Sequence, residues 1–317
     1  MVIMQNVEKP IDLLTYGDPN LDQVFSVRAA PRADEKKLGR RLGNFGGGTS
    51  SNVACAAARL GLAVAAYGRV GDDSDGRFLA ADFRRFGVST NYLRIEPGTP
   101  SSCAMIMIEP GGEKALVYAP MPGELLDPPS LSAALARSRV VYATPYDLDE
   151  LGRLRELASR GGAEVALDME DAASADYRRL DSMLPLGDLL FFNERLFEAA
   201  SGMAPSLENM ARLLDRGPHT VIVTRGAAGA RAVTRNEAAD QAAYPAEVVD
   251  TTGAGDCFAG AFLAASREGA PLQHRLRFAC AAASLAVSTI GARSALPDQM
   301  LVGSVLNGAR AANRHDS

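Results

Sequence analysis

Residues 248–265 read VVDTTGAGDCFAGAFLAA, in which two glycines and an alanine stand directly before an acidic residue and a helical pattern. Glycine supplies positive φ angles or lets a ligand approach the backbone, and an acid ahead of an amphipathic run is typical of a helix N-terminus. If a helix begins near Gly255, the amides of Gly253, Ala254 and Gly255 are unpaired donors at its positive end. Such donors can hold a phosphate, so the stretch predicts a site as well as a turn.

Asp256 lies at this helix start and has two interpretations. As a helix N-terminal charge it would contribute about 0.3–1 kcal/mol to stability. As a catalytic group it would accept the proton of a hydroxyl that attacks a phosphoryl group, for which an aspartate of ordinary basicity suffices. The neighbouring amide donors should keep its carboxylate strongly ionised. A capping acid needs no Gly-Ala-Gly before it, so the combination favours catalysis.

Outside this stretch the chain alternates short apolar runs with helical patterns, which indicates βαβ units and a parallel sheet covered on both faces. The predicted strands are residues 11–16, 63–68, 140–143, 164–168, 188–192 and 220–225. From Gly255 to about Arg314 the pattern is mostly helical. The sequence therefore predicts an α/β fold.

One region interrupts the alternation. Residues 99–122, TPSSCAMIMIEPGGEKALVYAPMP, read as two strands joined by an EPGGEK turn, which is a β-hairpin pattern. A hairpin between βα units does not easily join a parallel sheet, so we expect it to project as a flap. We predict one domain over residues 1–317, with a small β lid formed by about 23–45 and 98–122.

Composition narrows the class of protein. The chain has 317 residues, of which 47% are hydrophobic, so it can form a sizeable core. A formal net charge of −5 argues against nucleic-acid partners and anionic membranes. The four cysteines form no C-x-x-C pair, which is typical of buried free thiols in a reducing compartment. The first residues, MVIMQNVEKP, lack the apolar core of a signal peptide, and no long apolar run follows, so we expect a cytoplasmic protein.

Two further segments carry candidate ligand-binding residues. In GGGTSSNVACAAARLG (46–61), three glycines precede Asn52, whose amide offers both a donor and an acceptor to a polyhydroxylated ligand; a turn with a Ser or Thr cap is the alternative. In GDPNLD (17–22), Asn20 and Asp22 follow a predicted strand, where ligands of open α/β sheets bind. A simple Asx turn explains this segment equally well.

Several common motifs are missing from the sequence. There is no G-x-x-x-x-G-K-[ST], and Phe258 stands where G-x-G-x-x-G requires its last glycine. The three histidines lack metal-ligand spacing, and no G-x-S-x-G occurs. These gaps argue against a P-loop enzyme, a dinucleotide-binding protein, a histidine metal centre and a serine hydrolase.

The glycine-rich segments resemble a known family. GGGTSSNVACAAARLG (46–61) and DTTGAGDCFAGAFLAA (250–265) look like the two signature regions of the ribokinase (PfkB) family of carbohydrate kinases, and GRVGDDSDGRFL (68–79) resembles a further family segment. Order and spacing agree over almost the whole chain. The resemblance implies a ribokinase-like three-layer αβα core with a mainly parallel sheet. It also implies a β lid that often makes a dimer contact, and the use of ATP with Mg²⁺.

The resemblance also implies residue roles. Asp256 would be the catalytic base, and the amides of residues 253–255 would stabilise the transferring phosphoryl group. The implied sugar-binding residues are Asp22, Gly47, Gly48 and Asn52, with Asn20 beside them. TRGAAGA (224–230) resembles the nucleotide segment and places ATP near Thr224, Gly226 and Gly229, with Cys280 and Ser284 on one wall of the adenine pocket. Asp250 and Thr252 resemble a monovalent-cation site, with K⁺ as the candidate ion.

Three departures from the family pattern affect the interpretation. At residues 193–196 the chain reads NERL, so Asn193 is kept, Leu196 replaces the acid usually tied to Mg²⁺, and Glu194 is the nearby carboxylate that could act indirectly on the metal. The acids of LDMED (167–171) would repel an acidic substrate. APMPGEL (119–125) lacks the G-x-N of ribokinases, which disfavours ribose.

The sequence therefore predicts a sugar kinase that phosphorylates a monosaccharide with MgATP, with a ketohexose or modified hexose ahead of ribose. One alternative is a nucleoside kinase, for which Phe25, Tyr118 and Tyr146 could clamp the base. Another is a catalytically silent sugar sensor, against which the retained Asp256 argues. The expected partners are the sugar and ATP, with no nucleic acid or membrane, and a second copy of the chain bound through the lid.

Overall fold

The computed structural model describes residues 9–144, 146–170, 177–267 and 269–315. The strands are β1 (Ile11–Tyr16), β2 (Asn20–Val27), β3 (Gly39–Gly47), β4 (Val64–Gly71), β5 (Ser89–Glu96), β6 (Cys103–Ile108), β7 (Lys114–Ala119), β8 (Ser138–Ala143), β9 (Glu164–Asp168), β10 (Leu189–Asn193), β11 (Thr220–Thr224), β12 (Ala230–Thr234) and β13 (Ala238–Gln241). Nine of them form the central sheet in the order β13-β12-β11-β10-β9-β8-β1-β4-β5.

Helices cover both faces of this sheet. They are α1 (Thr49–Arg59), α2 (Ser74–Arg85), α3 (Pro128–Leu135), α4 (Leu148–Gly161), α5 (Tyr177–Met183), α6 (Glu194–Ser201), α7 (Leu207–Leu213), α8 (Ala254–Arg267), α9 (Leu272–Ala286) and α10 (Gln299–His315). One hydrophobic cluster contains residues of α1, α8 and α9, and a second contains residues of α3, α4 and α6. The predicted three-layer αβα core is confirmed.

The burial of β1 shows why the sheet needs both layers. Leu13 belongs to one hydrophobic cluster and Leu14 to the other, and both are fully buried. Successive side chains of a strand point to opposite faces, so a strand with apolar side chains on both faces must be covered twice. The sheet is parallel from β5 to β11, while β12 and β13 are antiparallel. The sequence did not predict this antiparallel edge.

The lid is a separate four-stranded sheet in the order β3-β2-β6-β7. The β6–β7 hairpin is antiparallel as predicted, and Gly112 takes the positive φ of 87° in its turn. β2 begins at Asn20 rather than at residue 23, so the polar segment before the predicted lid is already part of its first strand. The predicted β lid is confirmed.

Two helix starts near the expected site differ in their agreement with the sequence. α8 begins at Ala254, as expected for a helix starting near Gly255. α1 begins at Thr49 after Gly48, which has a φ of 93° and makes no side-chain cap. The alternative of a Ser or Thr cap is therefore wrong, because Thr49 is already helical and its hydroxyl binds elsewhere.

The remaining sequence expectations concern cysteines and membranes. All four cysteines are free; Cys55, Cys257 and Cys280 are buried and Cys103 is half-buried. Among the helices that the structure describes, none combines the length and apolarity needed to cross a bilayer.

Candidate active site

The carboxyl ends of β1 and β8, the start of α8 and the inner face of the lid surround a cavity of about 740 Å³. This volume is within the range of small-molecule sites. Its lining includes most of the residues predicted to bind sugar or to catalyse: Asn20, Asp22, Gly48, Asn52, Gly253 and Asp256. Leu116 and Tyr118 of β7 line the lid side. The structure therefore brings together groups that are more than 200 residues apart in the sequence.

The three glycines before α1 lie directly against polar side chains. A Cβ on Gly47 would lie 2.4 Å from the Asp22 carboxylate, and one on Gly46 would lie 2.4 Å from a guanidinium nitrogen of Arg293. Gly48 has a positive φ, which only glycine adopts readily. Gly47 does not itself line the cavity but makes room for Asp22, whose pKa burial raises to about 6 against the opposing hydrogen bond from Asn20.

Asp256 receives a hydrogen bond of 2.7 Å from Nδ2 of Asn52 to its Oδ2. Burial and the nearby Glu170 carboxylate raise the pKa of Asp256 to about 7, while the Asn52 bond and Arg293 act in the opposite direction. The expectation of a strongly ionised carboxylate is therefore wrong. The groups that favour the ionised form, Asn52 and Arg293, are outweighed by desolvation and by carboxylates from other elements. A base with this pKa suits proton transfer near neutral pH.

Asp168, the last residue of β9, and Glu170, two residues later, lie close to Asp256. Carboxylate oxygens of Asp168, Glu170 and Asp256 lie within 4.8 Å of one another. Burial and Glu170 raise the pKa of Asp168 well above its usual value, and the hydroxyl of Tyr142 donates to Asp168. Thr49 Oγ1 donates to Glu170 Oε1 over 2.6 Å. Asp171, the last residue of LDMED, is outside the described residues.

The donors predicted at the start of α8 are partly occupied. The Ala254 amide donates to the Thr251 carbonyl over 3.2 Å. The prediction that this amide is unpaired is therefore wrong. Gly253 has a φ of 77°, and a Cβ there would lie 2.5 Å from Ala292, so the turn requires glycine. Gly255 faces open space and lies in the first helical turn, where amides have no intrahelical acceptor. The Gly253 and Gly255 amides remain the candidate phosphate donors.

Asp250 and Thr252 do not fit a K⁺ site in their observed arrangement. Oδ1 of Asp250 accepts from Lys114 Nζ at 3.0 Å and from both the amide and hydroxyl of Thr252, and its Oδ2 accepts from the Gly291 amide. Lys114 also donates to the Thr252 hydroxyl. Burial alone would raise the pKa of Asp250, but these hydrogen bonds lower it to about 2. An ammonium group thus already occupies the side-chain oxygens proposed for the cation.

The predicted nucleotide residues lie at the same sheet edge, beyond β9. Asn193 ends β10 beside Thr224, which ends β11. The side-chain oxygen of Asn193 caps α6 by accepting from the Leu196 amide over 2.8 Å. Gly226 has open space around it, which leaves room for a ligand. The exposed Glu194 carboxylate offers the oxygen ligand that Mg²⁺ prefers, so these residues fit a metal–nucleotide complex.

The other nucleotide candidates are more structural than expected. A Cβ on Gly229 would lie 1.9 Å from the Gln241 carbonyl, so this glycine is required by the packing of its turn. Cys280 is 5% exposed in the hydrophobic core, and burial raises its pKa to about 12. Ser284 Oγ donates to the Ala281 carbonyl within α9 over 2.8 Å.

Sequence reasoning missed several groups at the cavity. Thr144 Oγ1 lines the cavity region and has no hydrogen-bond partner among the described residues. Asp18 forms an ion pair of 2.7 Å with Arg69. Arg293 and Lys114 contact the site from distant parts of the chain. The partners of Asp18, Lys114 and Arg293 are far away in the sequence, so no local motif marks these contacts.

The αβα core, the lid and the acid-lined cavity between them are typical of a kinase-type α/β enzyme. The chain belongs to the pfkB family of carbohydrate kinases, which matches residues 11–299. It is therefore a phosphotransferase with an alcohol group as acceptor.

Individual relatives are similar over almost their whole length. Ribokinase of Bacillus subtilis is 28% identical over 93% of this chain and 99% of its own. Fructokinase of Klebsiella pneumoniae is 32% identical over 81% of this chain and 90% of its own. The structure of Arabidopsis thaliana ribokinase complexed with ribose and ATP superposes with a TM-score of 0.82 at 26% identity, covering 93% of this chain and 98% of that one.

Proposed function

We propose that the protein transfers the γ-phosphoryl group of MgATP to a hydroxyl of a neutral monosaccharide bound in the cavity. The observation that carries this proposal is the Asp256 carboxylate, which lies in the cavity at the start of α8 with a pKa of about 7. A group of this basicity is half-deprotonated at neutral pH and can accept the proton of an attacking hydroxyl.

Each side of the site has a proposed role. Asn20, Asp22 and Asn52 bind sugar hydroxyls, and Thr144 supplies a further unpaired hydroxyl. Phosphoryl transfer depends mainly on positioning and on stabilising the charge of the transferring group. The Gly253 and Gly255 amides at the positive end of α8 suit this second task.

The nucleotide is proposed to lie along the carboxyl ends of β10 and β11, so that its last phosphate points toward Asp256. Asn193, Thr224 and Gly226 would contact it, and the Cys280–Ser284 part of α9 would border the adenine. Bound Mg²⁺ would neutralise phosphate charge, with Glu194 acting through water. Support comes from a putative ribokinase II of E. coli, which was solved in complex with ATP and Mg²⁺. With this reaction and this composition, we propose that the chain acts as a single kinase domain in the cytoplasm.

The charge of the cavity favours neutral acceptors. Its lining carries the acids Asp18, Asp22, Asp147, Glu150, Glu170 and Asp256. Its arginine, Arg69, is paired with Asp18. An anionic acceptor would therefore be repelled, which argues against sugar acids and against ribose 1-phosphate, the substrate named for one relative from Halopiger xanaduensis. We favour a ketohexose or modified hexose ahead of ribose.

A nucleoside kinase is a second candidate because two aromatic side chains line the cavity. Tyr118 of the lid and Tyr146 after β8 are both half-exposed and could hold a flat base between them. Phe25, the third aromatic considered, does not line the cavity. A nucleoside would need both tyrosines to hold its nucleobase, whereas a sugar would need mainly the polar residues on the opposite side of the cavity.

The test is ADP release from MgATP against a panel of ketohexoses, aldohexoses, ribose, sugar acids and nucleosides. We expect turnover with a neutral sugar and a loss of about 10²–10⁴-fold in kcat for Asp256→Asn. Binding of sugar and ATP should be retained in this variant. Turnover that survives the substitution would contradict the role of Asp256. Binding without turnover across the panel would instead support a sugar sensor.

A further inference from the structure

Arg293 is a buried cation that lies directly behind the sugar-binding loop. Its side chain is 6% exposed, although it follows α9 in a surface segment of the sequence. The guanidinium donates from Nε to Asn52 Oδ1 over 2.8 Å and from Nη2 to the Gly47 carbonyl over 2.8 Å. Nη1 donates to Asp82 Oδ2 over 2.7 Å. The core helices α1 and α2 and the lid strand β3 thus meet at one fixed, planar group.

These bonds decide which end of the Asn52 amide faces the base. An amide has one acceptor end and one donor end. Because Arg293 can only donate, it takes the carbonyl end of Asn52, and the NH₂ end is left to donate to Asp256. In the reversed orientation, donors would face donors at Arg293 and the amide oxygen would face the Asp256 carboxylate. Arg293 therefore excludes that orientation.

We propose that Arg293 is a positioning residue, which acts through Asn52 to hold Asp256 in the orientation and charge state of a base. This inference rests on the proposed function of Asp256. It concerns a residue that does not line the sugar cavity, so Arg293 contacts neither the sugar nor the reacting atoms.

The charges around Asp256 show why such a residue is needed. Carboxylates face it from other elements, and each of them favours its protonated form. They are Asp168 at the end of β9, Glu170 two residues beyond it and Asp22 on β2, while the Tyr142 hydroxyl on β8 donates to Asp168. Arg293 is the cation that acts in the opposite direction, together with the Asn52 hydrogen bond. Without both, the pKa of Asp256 would rise further and a smaller fraction of the base would be deprotonated at neutral pH.

The local packing is built around the ion pair of Arg293 with Asp82. Both side chains are less than a tenth exposed, and the guanidinium lies 5.6 Å from the Phe83 ring centroid. Gly46 is required here because a Cβ would collide with both charged groups. Removing Arg293 alone leaves the buried Asp82 carboxylate paired with the exposed Arg85 and without its buried cation, which is destabilising. The experiment therefore needs a charge-balanced variant as well.

The test compares Arg293→Met with the double variant Asp82→Leu/Arg293→Met, in which neither buried charge remains. The readout is the acid limb of kcat/KM against pH, which reports the pKa of the base in the free enzyme. We expect the pKa of this limb to rise by about one unit in both variants. This rise lowers kcat/KM about tenfold at pH values below that pKa. The matched control is Arg155→Met. It removes an arginine that pairs with Asp188 just before β10, at the end of the strands opposite the cavity.

A second readout does not depend on turnover. Carboxyl ¹³C NMR titration gives the pKa of Asp256 directly, with Asp256→Asn used to assign the signal. An upward shift of about one unit in the Arg293 variants and none in Arg155→Met supports the inference. Unchanged titration of Asp256 with a lowered melting temperature would reduce Arg293 to a structural role. If no acceptor is turned over, the proposed reaction fails while the titration still decides the role of Arg293.

Discussion

Asp256 combines two demands that oppose each other. To take a proton it must be basic, and the structure makes it basic by burying it beside Glu170. To carry its negative charge in the folded protein, the carboxylate needs hydrogen-bond donors, and Asn52 provides one. The balance leaves the carboxyl with a pKa of about 7, far above the value of about 3.9 for an unfolded chain.

This raised pKa predicts an unusual dependence of stability on pH. The folded state binds the Asp256 proton more tightly than the unfolded state, so its contribution to stability falls as pH rises from about 4 to 7. Asp256→Asn removes a carboxylate that is costly to ionise. We expect this variant to be more stable than the wild type by roughly 1–3 kcal/mol at pH 8, and similar to it at pH 4. Thermal unfolding at the two pH values measures the difference.

Asp250→Asn is the control of opposite sign. In the wild type, the pKa of the Asp250 carboxyl is lowered to about 2 in the folded protein. Its negative charge therefore stabilises the fold above the unfolded pKa, and this contribution is lost only as pH falls toward 2. This variant should be less stable than the wild type at pH 8. A destabilised Asp256→Asn at pH 8 would contradict the assigned pKa.

The residues differ in how far the sequence could reveal them. Asp256 and Asn52 lie in local glycine-rich patterns, so their place at a site was predictable. The charge state of Asp256 was not, because it depends on Glu170, which comes from a different strand end. Arg293 had no signal at all, since its partners Asn52 and Asp82 are 241 and 211 residues away.

At the scale of elements, strand β7 connects the lid to the loop of residues 250–253, which precedes α8. Lys114 is the first residue of β7, and its ammonium reaches Asp250 and Thr252 just before α8. Hairpin and helix start were both predictable from their turn residues, but their contact was not, because it joins residues 136 positions apart. β12 and β13 were missed because they follow β11 as an antiparallel edge with no α-helix between them, unlike the alternating strands and helices that the prediction used.

The Lys114 contact predicts that this loop needs no K⁺ in the wild type. In Lys114→Met the oxygens of Asp250 and Thr252 lose their cation, so K⁺ should bind there and raise the melting temperature. Without K⁺ we expect the rate of this variant to fall about tenfold, because one charge-assisted contact is lost. The measurement compares KCl with tetramethylammonium chloride at equal ionic strength, by thermal unfolding and by ADP release.

Lys36→Met is the matched control for this experiment, because Lys36 is an exposed lysine in the segment between β2 and β3. It should respond like the wild type to both salts. A wild type that K⁺ stabilises as strongly as Lys114→Met would show that the ammonium does not replace the cation.

At the scale of the whole molecule, both faces of the lid carry apolar side chains, one face toward the cavity and the other toward solvent. Ile106 and Leu116 are paired across β6 and β7 and line the cavity. Their neighbours Met105 and Val117 are also paired and therefore lie on the outer face, where they are 46% and 64% exposed. Because adjacent exposed apolar residues often mark a contact surface, we propose that this outer face binds the lid of a second copy.

A charge at the centre of that face tests the proposed homodimer. Val117→Lys would place an ammonium in the apolar contact of both subunits, and burying an unpaired charge is costly. We expect light scattering after size-exclusion chromatography to give twice the 33.4 kDa chain mass for the wild type and a single chain mass for the variant. Met300→Lys on α10 is the matched control, since Met300 is an equally apolar residue that is 76% exposed away from the lid. It should stay dimeric. If Val117→Lys has the same mass as the wild type, the subunit contact lies elsewhere or the protein works as a monomer, and the outer lid face has another role.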